Sequence, residues 1–122
     1  MGERLVLTGF NYSADIRAIQ AAAVGRMLPQ VRDIRRQGSC ALDLCHVAEG
    51  SADAYVEEGV SEWDHAAGAL VAREAGAVVE LTTGAGGKAA LVCAPAHGFT
   101  EFRTLVAACG FLAADTGIVG PR

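Results

Sequence analysis

The sequence predicts an α/β fold in which a layered, largely parallel sheet is flanked by helices. Two observations support this. Short apolar runs of strand length alternate with segments whose apolar residues recur every three or four positions. The composition, 52% hydrophobic and 20% charged over 122 residues, is that of a globular chain long enough to bury a core. Strands that alternate with helices are typical of layered α/β units, and we expect residues 1–122 to form one such unit.

The first predicted strand is Val6–Phe10, and a helix follows it. Ser13 is a candidate cap for this helix, and Pro29 stops it. Its predicted apolar face consists of Ile16, Ile19, Ala23 and Met27. Val31–Arg36 is short and partly alternating, which predicts a second strand.

The second helix is predicted at Ser39–Glu49, with Gly50 as its stop. Asp53–Val60 predicts the third strand. The third helix follows Trp63, with Asp64 as a candidate cap and Gly76 at its end. The predicted apolar faces are Ala41, Leu44, Cys45 and Ala48 in the second helix, and Ala67, Leu70 and Val71 in the third.

Two further strands, Ala77–Thr82 and Ala89–Ala94, are joined by the glycine-rich segment Thr83–Lys88. This segment lacks the pattern of a phosphate-binding P-loop, so it predicts a hairpin turn. The last helix is predicted to begin near Thr100. Its apolar face is Phe102, Leu105, Val106 and Cys109.

The charge balance is acidic, with 10 Lys and Arg against 14 Asp and Glu, a net charge of −4. Binding of nucleic acid without regard to sequence requires clustered basic residues, so we expect no nucleic-acid partner. The one basic cluster, Arg32, Arg35 and Arg36, is broken by Asp33 and is interpreted as a solvated strand face. Positive charge for a phosphate ester would then come mostly from metal ions or helix N-termini.

The opening residues lack the apolar region of a secretory signal, and no apolar run approaches the ~18 residues of a membrane span. The four cysteines show no C-x-x-C pairing, and each lies in an apolar run. Reduced, buried thiols in a cytoplasmic protein without a membrane partner are therefore expected.

Four carboxylates, at Glu57, Glu58, Glu62 and Asp64, follow one another at a strand end and the next turn. Ligands of open α/β sheets collect outside the carboxyl ends of the strands, and carboxylate oxygens suit hard cations such as Mg²⁺. The alternative is that Asp64 only caps a helix and the glutamates are solvated. Spacing alone leaves both interpretations open.

A second candidate site is Gly38-Ser39-Cys40, at the start of the second helix. Free backbone N–H groups beside a glycine can bind hydroxyl or phosphate oxygens there. The alternative is an ordinary capped helix. Trp63, beside the third helix, is interpreted as a packing anchor.

Four segments, taken together, resemble the inositol monophosphatase family. They are G-S-C-A-L-D-L-C from Gly38, A-D-A-Y-V-E-E-G from Ala52, W-D-H-A-A-G from Trp63 and A-R-E-A-G-A-V-V from Ala72, in the family's order and spacing. The opening V-L-T-G-F-N-Y also resembles the strand that begins the family's C-terminal half. The resemblance runs from about Leu5 to Phe111.

This resemblance implies the C-terminal half of the family's fold and a set of site residues. It implies that Asp64 is a Mg²⁺ ligand close to the substrate and acts in catalysis. Glu57 would hydrogen-bond a substrate hydroxyl. Gly38, Ser39 and Cys40 would line a polyol pocket, largely through backbone groups, with Cys40 where the family often has Ala.

The implied reaction is Mg²⁺-dependent hydrolysis of a small phosphorylated polyol, with inositol 1-phosphate as the default substrate. In the family most metal ligands come from an N-terminal half that carries a D-P-[IL]-D-G-T motif, and this motif is absent here. One aspartate cannot hold cations that each want about six oxygens. We therefore expect the chain to be inactive without the N-terminal half.

Two expectations follow for partners. Surface that meets the N-terminal half would be exposed and apolar here, which favours a homo-oligomer. The alternative function is a non-catalytic assembly or ligand-binding domain that keeps the phosphatase fold.

Overall fold

A computed structural model describes residues 3–114 of the chain. The helices and strands, in chain order, are β1 (Leu5–Thr8), α1 (Ala14–Met27), a 3-10 turn (Leu28–Gln30), β2 (Asp33–Arg36), α2 (Cys40–Glu49), β3 (Ala54–Glu58), α3 (Glu62–Glu74), β4 (Ala77–Thr83), β5 (Ala89–Pro95), a second 3-10 turn (Ala96–Gly98) and α4 (Phe99–Cys109). Each predicted strand and helix is present.

The strands form one five-stranded sheet in the order β2-β1-β3-β5-β4. β1 pairs in parallel with both β2 and β3, so the parallel part of the sheet consists of these three strands. β5 is antiparallel to β3 and to β4, because β4 and β5 are joined by the predicted hairpin. The layered α/β architecture is confirmed, and the sheet is mixed.

Helices cover both faces of the sheet. Successive strand residues point to opposite faces, so neighbours enter different cores. Val6 and Val56 pack with residues of α1 and α4, whereas Leu7 and Tyr55 pack with residues of α2 and α3. The chain thus runs from β1 to β2 through one helix layer and from β2 to β3 through the other.

Two helix starts differ from the predictions. Ser13 stands at the N-cap of α1, but its side chain makes no capping hydrogen bond. Asp64 is not the cap of α3, because the helix begins at Glu62 and Ser61 is its N-cap. Asp64 instead occupies the third helical position and completes a capping box with Ser61. Ser39 and Gly50 end α2 as predicted.

The buried helix face was predicted correctly for α4 and in part for α2, and the prediction for α3 was wrong. In α2 the predicted Leu44 is buried, and the other buried residues are Cys40, Asp43 and Val47. In α3 the predicted stripe faces outward, and the buried residues are Gly68, Ala69 and Ala72. The reason is close helix packing, since a Cβ at Gly68 would come within 3.2 Å of Cα of Ala41.

Cys40, Cys93 and Cys109 are buried and Cys45 is partly buried, and all four thiols are free. Burial raises the pKa of the Cys93 thiol to about 12, against an opposing effect of Arg73. Within residues 3–114, no helix is both long and apolar enough to cross a membrane.

Candidate functional site

A cleft of about 370 Å³ opens at the carboxyl ends of the three parallel strands. The connections from β1 to α1, from β2 to α2 and from β3 to α3 all border it. Because α1 and α2 leave β1 and β2 on opposite faces of the sheet, the strand order reverses at β1. Such a switch point separates neighbouring loops and creates a crevice outside the strand ends.

The cleft contains every site residue that the family resemblance implies. Gly38, Ser39, Cys40, Glu57 and Asp64 all line it. They come from the start of α2 and the residues before it, from the end of β3 and from the first turn of α3. The parallel pairing of β1 with β2 and β3 brings these segments to one edge of the sheet.

The start of α2 forms one wall of the cleft. Gly38 has φ +84, a left-handed backbone conformation that suits glycine, and it turns the chain into the helix. Ser39 Oγ accepts a hydrogen bond from the Leu42 N–H at 3.3 Å. Burial raises the pKa of the Cys40 thiol to about 11, against the opposing effect of the neighbouring Tyr55 hydroxyl. At neutral pH the thiol is therefore protonated, and it is no nucleophile.

Glu57 is held by the strand that carries it and by the strand beside it. The Tyr55 hydroxyl donates a hydrogen bond to Glu57 Oε1 at 2.7 Å. A Cβ at Gly9 would overlap the Glu57 carboxylate, so the carboxylate lies directly against the end of β1. Burial raises the pKa of Glu57, while Tyr55 and Arg36 oppose that rise and Asp64 adds to it.

Asp64 is exposed at the opposite wall of the cleft, in the first turn of α3. Its Oδ2 accepts a hydrogen bond from the Ser61 hydroxyl at 2.8 Å. The capping interpretation of Asp64 is thus correct in part. Its side chain stabilises the start of α3 through the capping box, but from the third helical position and not from the N-cap. Its position leaves the carboxylate accessible from the cleft.

Glu58 borders the same cleft, but its carboxylate serves the other side of the sheet. Oε1 accepts from the Gly86 N–H and Oε2 from the Lys88 N–H, both at 2.9 Å. Glu58 therefore fixes the turn between β4 and β5. Glu62 is exposed. The four carboxylates of the sequence cluster are thus separated, and only Glu57 and Asp64 are available to a ligand in the cleft.

These residues do not by themselves form a magnesium site. Within residues 3–114, no group of three or more His, Cys, Asp or Glu side chains is placed to hold a metal ion. Asp64 has one oxygen engaged with Ser61, and Glu57 has one engaged with Tyr55. Mg²⁺ takes six oxygen ligands, so other groups would have to complete its coordination.

Some residues of the cleft were missed or misinterpreted from the sequence. Arg36 was assigned to a solvated strand face, yet it lines the cleft at the end of β2. Gly9 and Tyr55 matter only through their contacts with Glu57, and nothing in the sequence pattern signals those contacts. Trp63 is 93% exposed, so the interpretation as a packing anchor is wrong for the described residues.

Asp43 lies on the buried side of α2, and nothing in the sequence pattern singled it out. It is fully buried, and within residues 3–114 neither carboxylate oxygen has a hydrogen-bond partner. Burial raises its pKa from 3.8 to about 6, with the charge of Glu57 adding to this effect and His46 opposing it. Asp43 is therefore a buried carboxyl whose charged form is disfavoured by its surroundings.

Comparison with known proteins gives one consistent family. A model of the inositol monophosphatase family matches residues 1–117. The inositol-1-monophosphatase of Mycobacterium leprae is 57% identical over 99 residues, which are 80% of this chain and 34% of that protein. The Nus factor SuhB of Xylella fastidiosa is 53% identical over 73 residues, or 59% of this chain and 26% of that protein.

Among solved structures, Mycobacterium tuberculosis SuhB superposes with a TM-score of 0.80 at 45% identity. The match covers 91% of this chain and 44% of that one. The chain therefore spans less than half the length of these relatives.

Proposed function

Because the chain belongs to the inositol monophosphatase family, we propose that it supplies the polyol-binding part of a Mg²⁺-dependent phosphomonoesterase. The substrate class is a small phosphorylated polyol of the inositol 1-phosphate type. One observation carries this proposal: the cleft collects Gly38, Ser39, Cys40, Glu57 and Asp64 into one space of about 370 Å³. We place the enzyme in the cytoplasm.

Each wall of the cleft has a chemical role. At the start of α2, the backbone N–H groups near Ser39 point out of the helix end and can donate to hydroxyl or phosphate oxygens. Glu57 offers a carboxylate oxygen to a substrate hydroxyl. Arg36 adds a positive charge at the end of β2.

Asp64 is the chain's contribution to the metal. Magnesium, when bound, supplies charge neutralisation of the phosphate and a lowered pKa for water. The remaining ligands would come from an N-terminal half of the kind found in longer relatives. Support for such a partner comes from Trp63, Leu70 and Val71, which are 93%, 60% and 47% exposed along α3. An exposed apolar stripe of this kind favours association, with the N-terminal half or with a second copy of the chain.

The test measures phosphate release from inositol 1-phosphate with Mg²⁺. We expect no release by the chain alone, because the metal ligands are too few. Adding the N-terminal half of a relative should restore release, and Asp64→Asn should abolish it again. Glu62→Gln is the matched control, since it removes a neighbouring exposed carboxylate outside the cleft. Release by the chain alone that depends on Asp64 would overturn the proposed incompleteness.

A second candidate function is a non-catalytic assembly or ligand-binding domain. It is favoured by the Xylella fastidiosa relative, whose name is Nus factor SuhB. In that case the complemented chain would release no phosphate, and Asp64→Asn would leave its assembly with partners unchanged. The phosphatase proposal predicts the opposite result in the complemented assay.

A further inference from the structure

Tyr55 is buried at the base of the cleft wall that carries Glu57. It is 0% exposed and packs in the core formed with α2 and α3. Tyr55 and Glu57 are two positions apart on β3, so their side chains point to the same face of the sheet. The buried hydroxyl needs a partner, and it donates to Glu57 Oε1 at 2.7 Å.

A second restraint on Glu57 comes from β1. Gly9 has no Cβ, and any side chain there would overlap both oxygens and Cδ of the Glu57 carboxylate. The carboxylate is therefore backed by the main chain on one side and bonded to Tyr55 at Oε1. Within residues 3–114 no group hydrogen-bonds Oε2, which leaves this oxygen as the acceptor open to the cleft.

We propose that Tyr55 is a positioning residue that, with Gly9, fixes Glu57 so that Oε2 alone is presented to one hydroxyl group of the bound polyol. This inference rests on the proposed function, in which the cleft binds a polyol. It assigns a specificity role, because a rigid acceptor left unpaired by an analogue that lacks the hydroxyl penalises that analogue. A freely rotating glutamate would pair with water instead.

The electrostatics of the site agree with this arrangement. Burial raises the pKa of Glu57, and the hydrogen bond from Tyr55 counteracts that rise. Arg36 acts in the same direction as Tyr55, and Asp64 acts against them. Tyr55 thus both orients the carboxylate and favours its ionised form, in which both oxygens are acceptors.

The experiment titrates the chain with myo-inositol and follows the backbone amide NMR signals of Gly38, Ser39 and Cys40. Tyr55→Phe removes only the hydroxyl and should weaken binding roughly five- to tenfold. Glu57→Gln should weaken it to a similar degree. The double variant should bind no more weakly than Glu57→Gln, because the proposed positioning role of Tyr55 is exerted through Glu57. Additive losses in the double variant would overturn the positioning role.

Thr8→Val distinguishes the proposed positioning role of Tyr55 from a merely structural one. Thr8 is another buried hydroxyl, and it donates to the Val56 carbonyl at 2.6 Å rather than to a carboxylate of the cleft. Thr8→Val should lower stability about as much as Tyr55→Phe while leaving the affinity for myo-inositol within twofold. Equal losses of affinity in the two variants would count against the proposal.

A measurement on the ligand-free proteins tests the positioning role of Tyr55 independently of the proposed function. If myo-inositol shifts none of the cleft signals, the proposed polyol site fails, whatever the role of Tyr55. The carboxyl carbon signal of Glu57 then decides the positioning claim. Its titration should move to higher pH in Tyr55→Phe and stay unchanged in Thr8→Val. An unmoved titration in Tyr55→Phe would overturn the claim that the hydroxyl holds Glu57.

Discussion

Glu57 and Glu58 are consecutive residues at the end of β3, and their carboxylates serve opposite faces of the sheet. Glu57 points toward α2 and α3, lines the cleft, and receives one side-chain hydrogen bond, from Tyr55. Glu58 is 3% exposed, and backbone N–H groups of Gly86 and Lys88 occupy its two oxygens. Because successive side chains of a strand point to opposite faces, one carboxylate is available to a ligand and the other stabilises the fold.

Both glutamates depend on glycines. Gly9 leaves room for Glu57, whereas Gly84 and Gly86 leave room for Glu58, because a Cβ at any of these positions would overlap a carboxylate. The difference lies in what remains unpaired. A buried carboxylate with both oxygens bonded stabilises the folded state, whereas one with an open oxygen is free to bind a ligand. Hydrogen-bond occupancy therefore separates the two roles better than sequence position does.

The largest effect should come from Glu58→Gln. The amide would place an N–H₂ group against one of the two backbone donors, which leaves that partly buried donor unpaired. We expect the free energy of unfolding to fall by about 3 kcal/mol, measured by chemical denaturation. Glu62→Gln, at an exposed position, should change it by less than about 0.5 kcal/mol. A loss below about 1 kcal/mol for Glu58→Gln would contradict the claim that Glu58 stabilises the fold.

Asp43 sharpens the comparison, because it is a buried carboxyl with neither oxygen paired. Its pKa is 3.8 in the ordinary state and about 6 in the folded chain, chiefly through burial. Between these values the folded chain binds more protons than the unfolded one. The free energy of unfolding should therefore fall as the pH rises from about 4 to about 6, by roughly 2–3 kcal/mol.

Asp43→Asn tests this directly, because it keeps the shape and removes the charge. At pH 7.5 we expect the variant to be more stable than the unmodified chain by roughly 2–3 kcal/mol, and at pH 4 to be equal to it. Thermal or chemical unfolding at the two pH values gives the comparison. If Asp43→Asn destabilised the chain at pH 7.5, a partner for this carboxylate would have to exist.

The helices show where sequence patterns are sufficient and where they fail. The apolar face of α4 was predicted correctly because that helix has a single apolar side. α3 is apolar on two sides, so periodicity favoured Leu70 and Val71 over the small residues. Close approach to α2 selects Gly68 and its small neighbours instead, since Gly68 lies against Ala41 and Leu44. A pattern of hydrophobicity does not predict how closely two helices pack.

The residues of the site also divide into those that the sequence predicts and those that it misses. The prediction included Gly38, Glu57 and Asp64, because they lie near predicted strand ends and helix starts and because they match motifs of the inositol monophosphatase family. It missed Tyr55 and Gly9, whose importance arises from contacts between β1 and β3 that are fixed only by strand register. The parallel pairing of Leu7 with Tyr55 sets this register and thus brings Gly9 to Glu57.

The smallest expected effect on stability concerns Asp64, a carboxylate of the cleft that is hydrogen-bonded to Ser61, the N-cap of α3. Ser61 Oγ accepts from the Asp64 N–H at 3.3 Å and donates to Asp64 Oδ2 at 2.8 Å, so Ser61→Ala removes both bonds. We expect a loss of about 1 kcal/mol in the free energy of unfolding. Ser13→Ala is the matched control, because Ser13 holds the same helix position without a side-chain capping bond. It should cost only a few tenths of a kcal/mol, and equal losses at the two serines would mean that the capping box at Asp64 contributes nothing.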